Sequence, residues 1–413
     1  MNGVRTMRDR FVILADESAD WKVAGLRQLE RLAFALNEFA QSSGRETKID
    51  IILFWNPRTP GPAQWEPPES LHTRIRLKTQ FDTLEPGARI LGTHLFVGRN
   101  RLEQIIAAVP RVVDQEEIGD ETELWNKLAS SVENVLRQYC ANQRDSFVCR
   151  YLIQPNEIPG CESRFLREVG KSNDGIVARF LNRPISRAVS RILLKTKITP
   201  NAWSVGSMII PLIGCLFLVR GTYWGFVLGT ACYHLHSTLD GCDGEIARAK
   251  YLDSERGRRL DAFCDLGVTI LLALSLGAGL YRHRAGVNFA PLLYLLEGFV
   301  SALLVALQWW ISDRSNTSFG HLSRRALGIT ETRSESGSLR AFPKSIFAGA
   351  RWLLIEVTKR DVAQLFFVLL AIAGATAWIL HFLFAYAVVG FVLTVTALSL
   401  SSSSQRPDQL LPN

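Results

Sequence analysis

Closely spaced cysteine pairs are missing from this chain. Its seven cysteines, Cys140, Cys149, Cys161, Cys215, Cys232, Cys242 and Cys264, form no CxxC, and no Cys/His spacing suits zinc. An odd, scattered set with several members in apolar stretches reads as reduced thiols acting as small hydrophobes. A secretory signal is also lacking. The apolar run within MNGVRTMRDRFVILADES is too short for one, which places the first part of the chain in the cytosol. The third absence is chemical. After the first strand candidate the chain reads LADESADWKVAG, which is acidic and lacks the run of glycines with which backbone N–H groups cradle a triphosphate.

At 413 residues two domains are expected. The mean hydropathy of +0.10 averages a polar first part and a very apolar second part. The net charge of +8 resides largely in Lys and Arg that flank apolar stretches, which fits cytoplasmic loops beside anionic lipid better than nucleic acid. Residues 10–160 alternate strand and helix patterns. FVILAD from Phe11, KIDIILFW from Lys48, TRIRLKTQF from Thr73 and ARILGTHLFVGR from Ala88 read as strands. VAGLRQLERLAFALNEFA from Val23, the stretch from Asn100 with Asn100 as its cap, and ETELWNKLASSVENVLRQYCANQ from Glu121 read as helices. NPRTPGPAQWEPP is turn-rich. The expectation is a soluble, α/β layered, Rossmann-like domain over 1–162.

From Ser163 the character changes. Over 163–201 basic residues recur among apolar ones. Ile185, Ala188, Val189, Ile192 and Leu193 share one helical face, with Arg183, Arg187, Arg191 and Lys195 around the rest. That is a basic amphipathic helix suited to the membrane surface. Over 202–403 an all-α, six-helix transmembrane domain is expected, with spans near 202–219, 222–239, 260–280, 289–311, 364–381 and 383–402. Lys and Arg concentrate before the first span, in Lys250–Arg259 and in the polar connection 312–363, while the links near Gly221 and Phe382 are tiny. Both termini are therefore expected on the cytoplasmic side, against which the two arginines in YRHRAGVN stand as a mild conflict. The connection 312–363 is expected to be mobile apart from a surface helix in IFAGARWLLIEVTKRD, and 404–413 to be a disordered tail.

The chain is organised around LDGCDGEIARAKYLDSERGRRLDAFCDLG, from Leu239. Asp240 and Asp243 stand at i,i+3, and Asp261 and Asp265 at i,i+4, so each pair shares a helix face. Gly244 and Ala247 permit close approach to the backbone, Arg248 offers a planar fork for phosphate, and Gly257 is expected in the link between two helices. Four carboxylates at the ends of adjacent apolar helices are costly without partners. Divalent cations answer that cost, and an all-oxygen donor set favours Mg²⁺, Mn²⁺ or Ca²⁺ over zinc, with Mg²⁺ or Mn²⁺ suiting a pyrophosphate donor. Metal-assisted phosphoryl transfer at the membrane boundary is the chemistry that this pattern supports. Caps and surface salt bridges would not need paired carboxylates on one face. His234 and His236 read as buried helix residues rather than ligands. Arg191, Arg258, Arg259 and Arg360 are candidate cations for a phosphorylated acceptor.

These residues resemble the signature of the CDP-alcohol phosphotransferase family, D-x2-D-G-x2-A-R, a spacer of eight, then G-x3-D-x3-D. Asp240, Asp243, Gly244, Ala247, Arg248, Gly257, Asp261 and Asp265 match every fixed position. The segments KxxDGxxxR (Lys171, Asp174, Gly175, Arg179), LNRPIS and TPN (Thr199 to Asn201) are similar to the stretch before that family's first span. The resemblance implies that Asp240, Asp243 and Asp261 hold two metal ions. It implies Asp265 as general base, also within reach of metal, and places Asn201, Gly244, Ala247, Arg248 and Gly257 at the CMP and pyrophosphate site. It further implies an inner-membrane enzyme with its active site facing the cytoplasm, commonly a homodimer. That enzyme moves a phosphoalcohol group, foremost phosphatidyl from CDP-diacylglycerol, to an acceptor hydroxyl with release of CMP. The layout also resembles fusions in which a nucleotidyltransferase-like domain precedes the transferase, and the acidic loop leaves this domain as either a degenerate or regulatory relative of it or an unrelated α/β module. Two alternatives stand beside this reading: a synthase joining soluble CDP-inositol to inositol phosphate, and, in another class, a membrane cation transporter.

Overall fold

The computed structural model describes residues 10–42, 49–59, 71, 75–78, 83–113, 116–117, 120–143, 147–169, 175–284, 290–314 and 360–403. The expectations placed on most of NPRTPGPAQWEPP, on Lys171 and Asp174, on the second half of YRHRAGVN, on most of 312–363 and on the tail lie outside these residues. The chain divides into two compact units. The first takes in Met1–Gly170, Arg191–Lys197 and Glu245–Leu252, and the second Lys171–Ser190, Ile198–Gly244 and Asp253–Asn413.

The first unit is built on β1 (Arg10–Ala15), a hairpin of β2 (Lys22–Val23) and β3 (Leu26–Arg27), α1 (Gln28–Ser42), β4 (Ile49–Trp55) and β5 (Ile75–Lys78). There follow β6 (Thr83–Leu84), β7 (Arg89–Gly92), β8 (Leu95–Val97), α2 (Leu102–Ile105), β9 (Glu116–Glu117), α3 (Glu121–Asn142), β10 (Cys149–Tyr151) and α4 (Ile158–Glu168). Four strands form a parallel sheet in the order β5-β4-β1-β7. FVILA is apolar at every position because the central strand β1 is buried throughout, as in a sheet covered on both faces. Leu32, Leu36 and Phe39 of α1 and Leu124, Leu128 and Leu136 of α3 join the strands in one core.

Three local expectations are corrected. The stretch from Val23 does not begin as helix, because Ala24 (φ 49°) and Gly25 (φ 82°) turn the β2–β3 hairpin first. ARILGTHLFVGR is two strands rather than one, broken at Thr93 and His94, with β8 turning to pair antiparallel with β10. Asn100 is not a helix cap: it sits in the left-handed region at φ 56°, which asparagine tolerates, and α2 starts at Leu102. The same β8–β10 pairing brings Cys149 to the end of α3, where it forms a disulfide with Cys140 at a Cα–Cα distance of 5.5 Å. The expectation of reduced thiols holds only for the other five cysteines.

The second unit begins with a π turn, Ala178–Asn182, and α5 (Arg183–Leu194), whose last residues count with the first unit. Then come α6 (Pro200–Ser207), α7 (Ile209–Leu218), α8 (Tyr223–Ala249), α9 (Glu255–His283), α10 (Ala290–Arg314), α11 (Arg360–Ile372) and α12 (Thr376–Ser403). Among the described residues four helices are long and apolar enough to cross a membrane: Pro200–Leu218, Glu255–His283, Pro291–Arg314 and Thr376–Ser399. The first is interrupted at Met208, where Pro211 has no N–H for the carbonyl of Ser207. Two of the six expected spans fall short of this measure. In α8 the apolar stretch is diluted by His234, His236 and several hydroxyl side chains, and α11 has only 13 residues. The link expected near Phe382 lies instead at Gly374 (φ 73°), which turns the chain between α11 and α12.

Candidate functional site

Three aspartates converge. Carboxylate oxygens of Asp240 on α8 and of Asp261 and Asp265 on α9 lie within 4.8 Å of one another, the only such acidic group among the described residues. Each helix supplies its share by periodicity, and the α8–α9 turn folds the two faces together. Arg360, at the first residue of α11, donates one guanidinium nitrogen to Asp265 Oδ1 and another to Asp240 Oδ2. The next residue anchors it, because Asp361 Oδ2 accepts the backbone N–H of Ala178 in the π turn at 2.7 Å. Of the four candidate cations, Arg360 is the one that meets the carboxylates. Arg258 and Arg259 pair with Glu255, and Arg191 is exposed on α5.

Asp243 faces a different partner. Ser204 Oγ on α6 donates to Asp243 Oδ2 at 2.5 Å, and Trp203 Nε1 donates to the carbonyl of Leu239 at 3.0 Å. Thr199 starts α6 by accepting the N–H of Ala202, with Pro200 at the first helical position. This TPN start puts Asn201 beside Gly257, where an added Cβ would stand 3.1 Å from Asn201 Oδ1. Gly257 is not in the interhelical link. It lies in the first turn of α9, which begins at Glu255 because Ser254 caps it and accepts the N–H of Gly257 at 3.1 Å. Gly244 continues α8 one residue beyond Asp243. Ala247 and Arg248 complete the helix within the first unit, where Arg248 Nε donates to the carbonyl of Val169 at 2.7 Å. His236, one turn before Asp240, is buried at 3% exposure.

Sequence reasoning missed four contributors. Arg183, counted with the polar rim of an amphipathic helix, is buried, and its Nη1 stands 3.0 Å from where a Cβ on Gly241 would be. Ser186 also turns inward, its carbonyl accepting from Cys242 Sγ at 3.4 Å. The serine side of α5 therefore packs on α8, while Ile185 and Ile192 of the apolar face are left exposed. Trp203 and Ser204 had a weak signal, standing two and three residues beyond Asn201 in the same first turns of α6.

The donor set fits a divalent metal. It is all oxygen, drawn from three carboxylates in one cluster, and Arg360 shows that the cluster accepts positive charge between Asp240 and Asp265.

The sequence pattern of the CDP-alcohol phosphatidyltransferase family matches residues 197–332. A protein named bifunctional IPC transferase and DIPP synthase from Rubrobacter xylanophilus is 34% identical over 181 residues, covering 43% of this chain and 38% of the relative. One of the same name from Thermococcus kodakarensis is 38% identical over 193 residues, covering 46% and 39%. The chain thus spans about two fifths of the length of these curated relatives. Residues 197–332, with the aspartate cluster inside them, are thus similar to the CDP-alcohol phosphatidyltransferase domain.

Proposed function

We propose that this protein transfers a phosphoalcohol group from a CDP-alcohol to an acceptor hydroxyl and releases CMP, in the synthesis of phospholipids or related polar lipids. The observation that carries the reading is the convergence of Asp240, Asp261 and Asp265 from two helices inside the matched domain. These three, with Asp243, would hold two Mg²⁺ or Mn²⁺ ions, which when bound neutralise charge on the pyrophosphate. Asp265 takes the proton from the acceptor hydroxyl, whose oxygen then attacks the β-phosphorus as the bond to CMP breaks. Arg360 holds the Asp265 carboxylate in place. Asn201, Gly244, Ala247, Arg248 and Gly257 line the nucleotide side, Gly257 leaving room that a side chain would close.

The four spans are read with α8 and α11 as a six-helix membrane domain over 202–403, lying in the cell inner membrane with the site and both termini toward the cytoplasm. Residues 163–201 form the basic juxtamembrane segment, and the bilayer and a homodimeric partner are its expected associates, without nucleic acid. Residues 1–162 are read as a degenerate nucleotidyltransferase-like domain. At the end of β1, where a phosphate cradle would stand, the Asp16 carboxylate accepts from Ser18 N–H at 2.9 Å and meets His94 Nε2 at 2.9 Å.

The donor has two readings. CDP-diacylglycerol suits a site at the lipid boundary. Soluble CDP-inositol with inositol phosphate as acceptor is favoured by the relatives' printed names and by Arg360, a cation at the aspartates suited to a phosphorylated acceptor. The test is CMP release by the detergent-purified protein with Mg²⁺ or Mn²⁺, each donor being offered with inositol phosphate, glycerol phosphate, inositol and serine. Metal-dependent release with one pair, abolished in Asp265→Asn while the variant stays folded, is the expected result. An active Asp265→Asn protein removes the general-base assignment, and donor binding without release on any pair turns the reading toward a binding site.

A further inference from the structure

A second concentration of chemistry lies in the first unit, in residues outside the matched domain. A cavity of about 610 Å³ opens between the C-terminal half of α3, β10 and α4. Four arginines line it, Arg137, Arg150, Arg164 and Arg167, against two glutamates, Glu157 and Glu168. The glutamates are occupied by backbone: Glu157 Oε2 accepts the N–H of Ile153 at 2.8 Å, and Glu168 Oε1 that of Phe147 at 3.4 Å. Arg137 pairs with Glu133 on its own helix. The side chains of Arg150, Arg164 and Arg167 make no hydrogen bond or ion pair among the described residues. Arg164 and Arg167 stand at i,i+3 on α4 and so face the same way. The Cys140–Cys149 disulfide, itself in the wall, ties α3 to β10 and so fixes Arg150 relative to the rest.

The arginines outnumber the two carboxylates of the lining, so the concavity keeps an excess of positive charge, and an anion with several oxygens offsets that excess while matching the planar donor fork. Tyr151, whose ring stacks on His94 at 5.6 Å, and Phe147 add aromatic wall. The volume falls in the range of small-molecule sites. We propose that this cavity binds a phosphomonoester of mononucleotide size, with the phosphate on Arg150, Arg164 and Arg167 and an aromatic or sugar moiety toward Phe147 and Tyr151.

The test is calorimetric titration of AMP, with adenosine as the control, into the full-length detergent-solubilised protein. Binding of AMP but not adenosine is expected, weakened by salt. Arg164→Gln and Arg167→Gln, both exposed positions, should each weaken it about tenfold, the loss of one charge-assisted hydrogen bond, with melting temperature and CMP release unchanged. Asp243→Asn should leave AMP affinity as in the natural protein. Absence of AMP binding, equal binding of adenosine, or unchanged affinity in both arginine variants would overturn the proposal. So would loss of AMP binding in Asp243→Asn with retention in the arginine variants, because the ligand would then sit at the aspartates.

Discussion

Asp265 and Arg360 are 95 residues apart in sequence and meet through a charge-assisted hydrogen bond. That contact makes Arg360 testable by itself. With a phosphorylated acceptor, Arg360→Gln is expected to raise the acceptor KM about tenfold or more, because a charged partner of the phosphate is lost. With an uncharged acceptor the main loss falls on kcat through Asp265. Steady-state kinetics on both acceptor classes distinguishes the two. In the first unit, burial opposes charge on His94 and Asp16, yet each favours the charged form of the other. Burial pushes the Asp16 carboxyl up, but the hydrogen bonds from His94 and Ser18 outweigh it and hold it below its usual range. Burial pulls the His94 imidazole down, but Asp16 outweighs it and holds it above its usual value, with Glu133 adding to the effect. The His94 contribution to stability is complete below about pH 6.5 and fades as pH rises through its raised folded value. The Asp16 contribution is complete above about pH 4 and fades as pH falls through its lowered folded value. Thermal unfolding should therefore show the natural protein losing stability from pH 6 to pH 9, and His94→Asn losing less.

Among the elements, the pairing of α9 and α10 depends on absent side chains. A Cβ on Gly298 would stand 2.7 Å from the carbonyl of Ala273, and one on Gly277 2.7 Å from that of Tyr294. The two glycines face each other at that crossing, which is how helices approach closely where no hydrophobic drive separates them from lipid. Gly298→Val should push the helices apart at a cost of about 3 kcal/mol, read as a lower melting temperature in detergent. The sequence offered little warning of this pair, since glycine at one position of a span carries no partner label. By contrast α3 was legible because it carries a long run of helical periodicity from Glu121 onward. The extent of α9 was misread at its start because Arg258 and Arg259 look like loop charges, although helix continues through them.

For the whole molecule, the spans turn many large apolar side chains outward: Leu216, Trp224, Leu293, Phe299, Trp378 and Val389 are each more than half exposed. Water is a poor solvent for such a surface, and lipid a good one. The protein should stay in the membrane pellet through an alkaline carbonate wash and leave it only with detergent. Recovery in the carbonate supernatant would contradict the spans. The same surface explains why composition alone was informative here, since an apolar second half beneath a basic rim has few soluble solutions.

The sequence by itself determined the resemblance of residues 197–332 to that family and the i,i+4 placing of Asp261 and Asp265 on one helix face, because such spacing on a helix is a local geometry that needs no tertiary information. It also determined the existence of a separate α/β unit, since strand and helix periods differ. Only the tertiary structure decided that Asp240 joins Asp261 and Asp265 while Asp243 turns to Ser204, that Arg360 and not Arg258 or Arg259 meets the cluster, and that Arg183 lies buried beside Gly241. These are contacts between helices, and which faces meet is set by close packing over the whole bundle, where a side chain's partner is distant in the chain and leaves no period in the sequence.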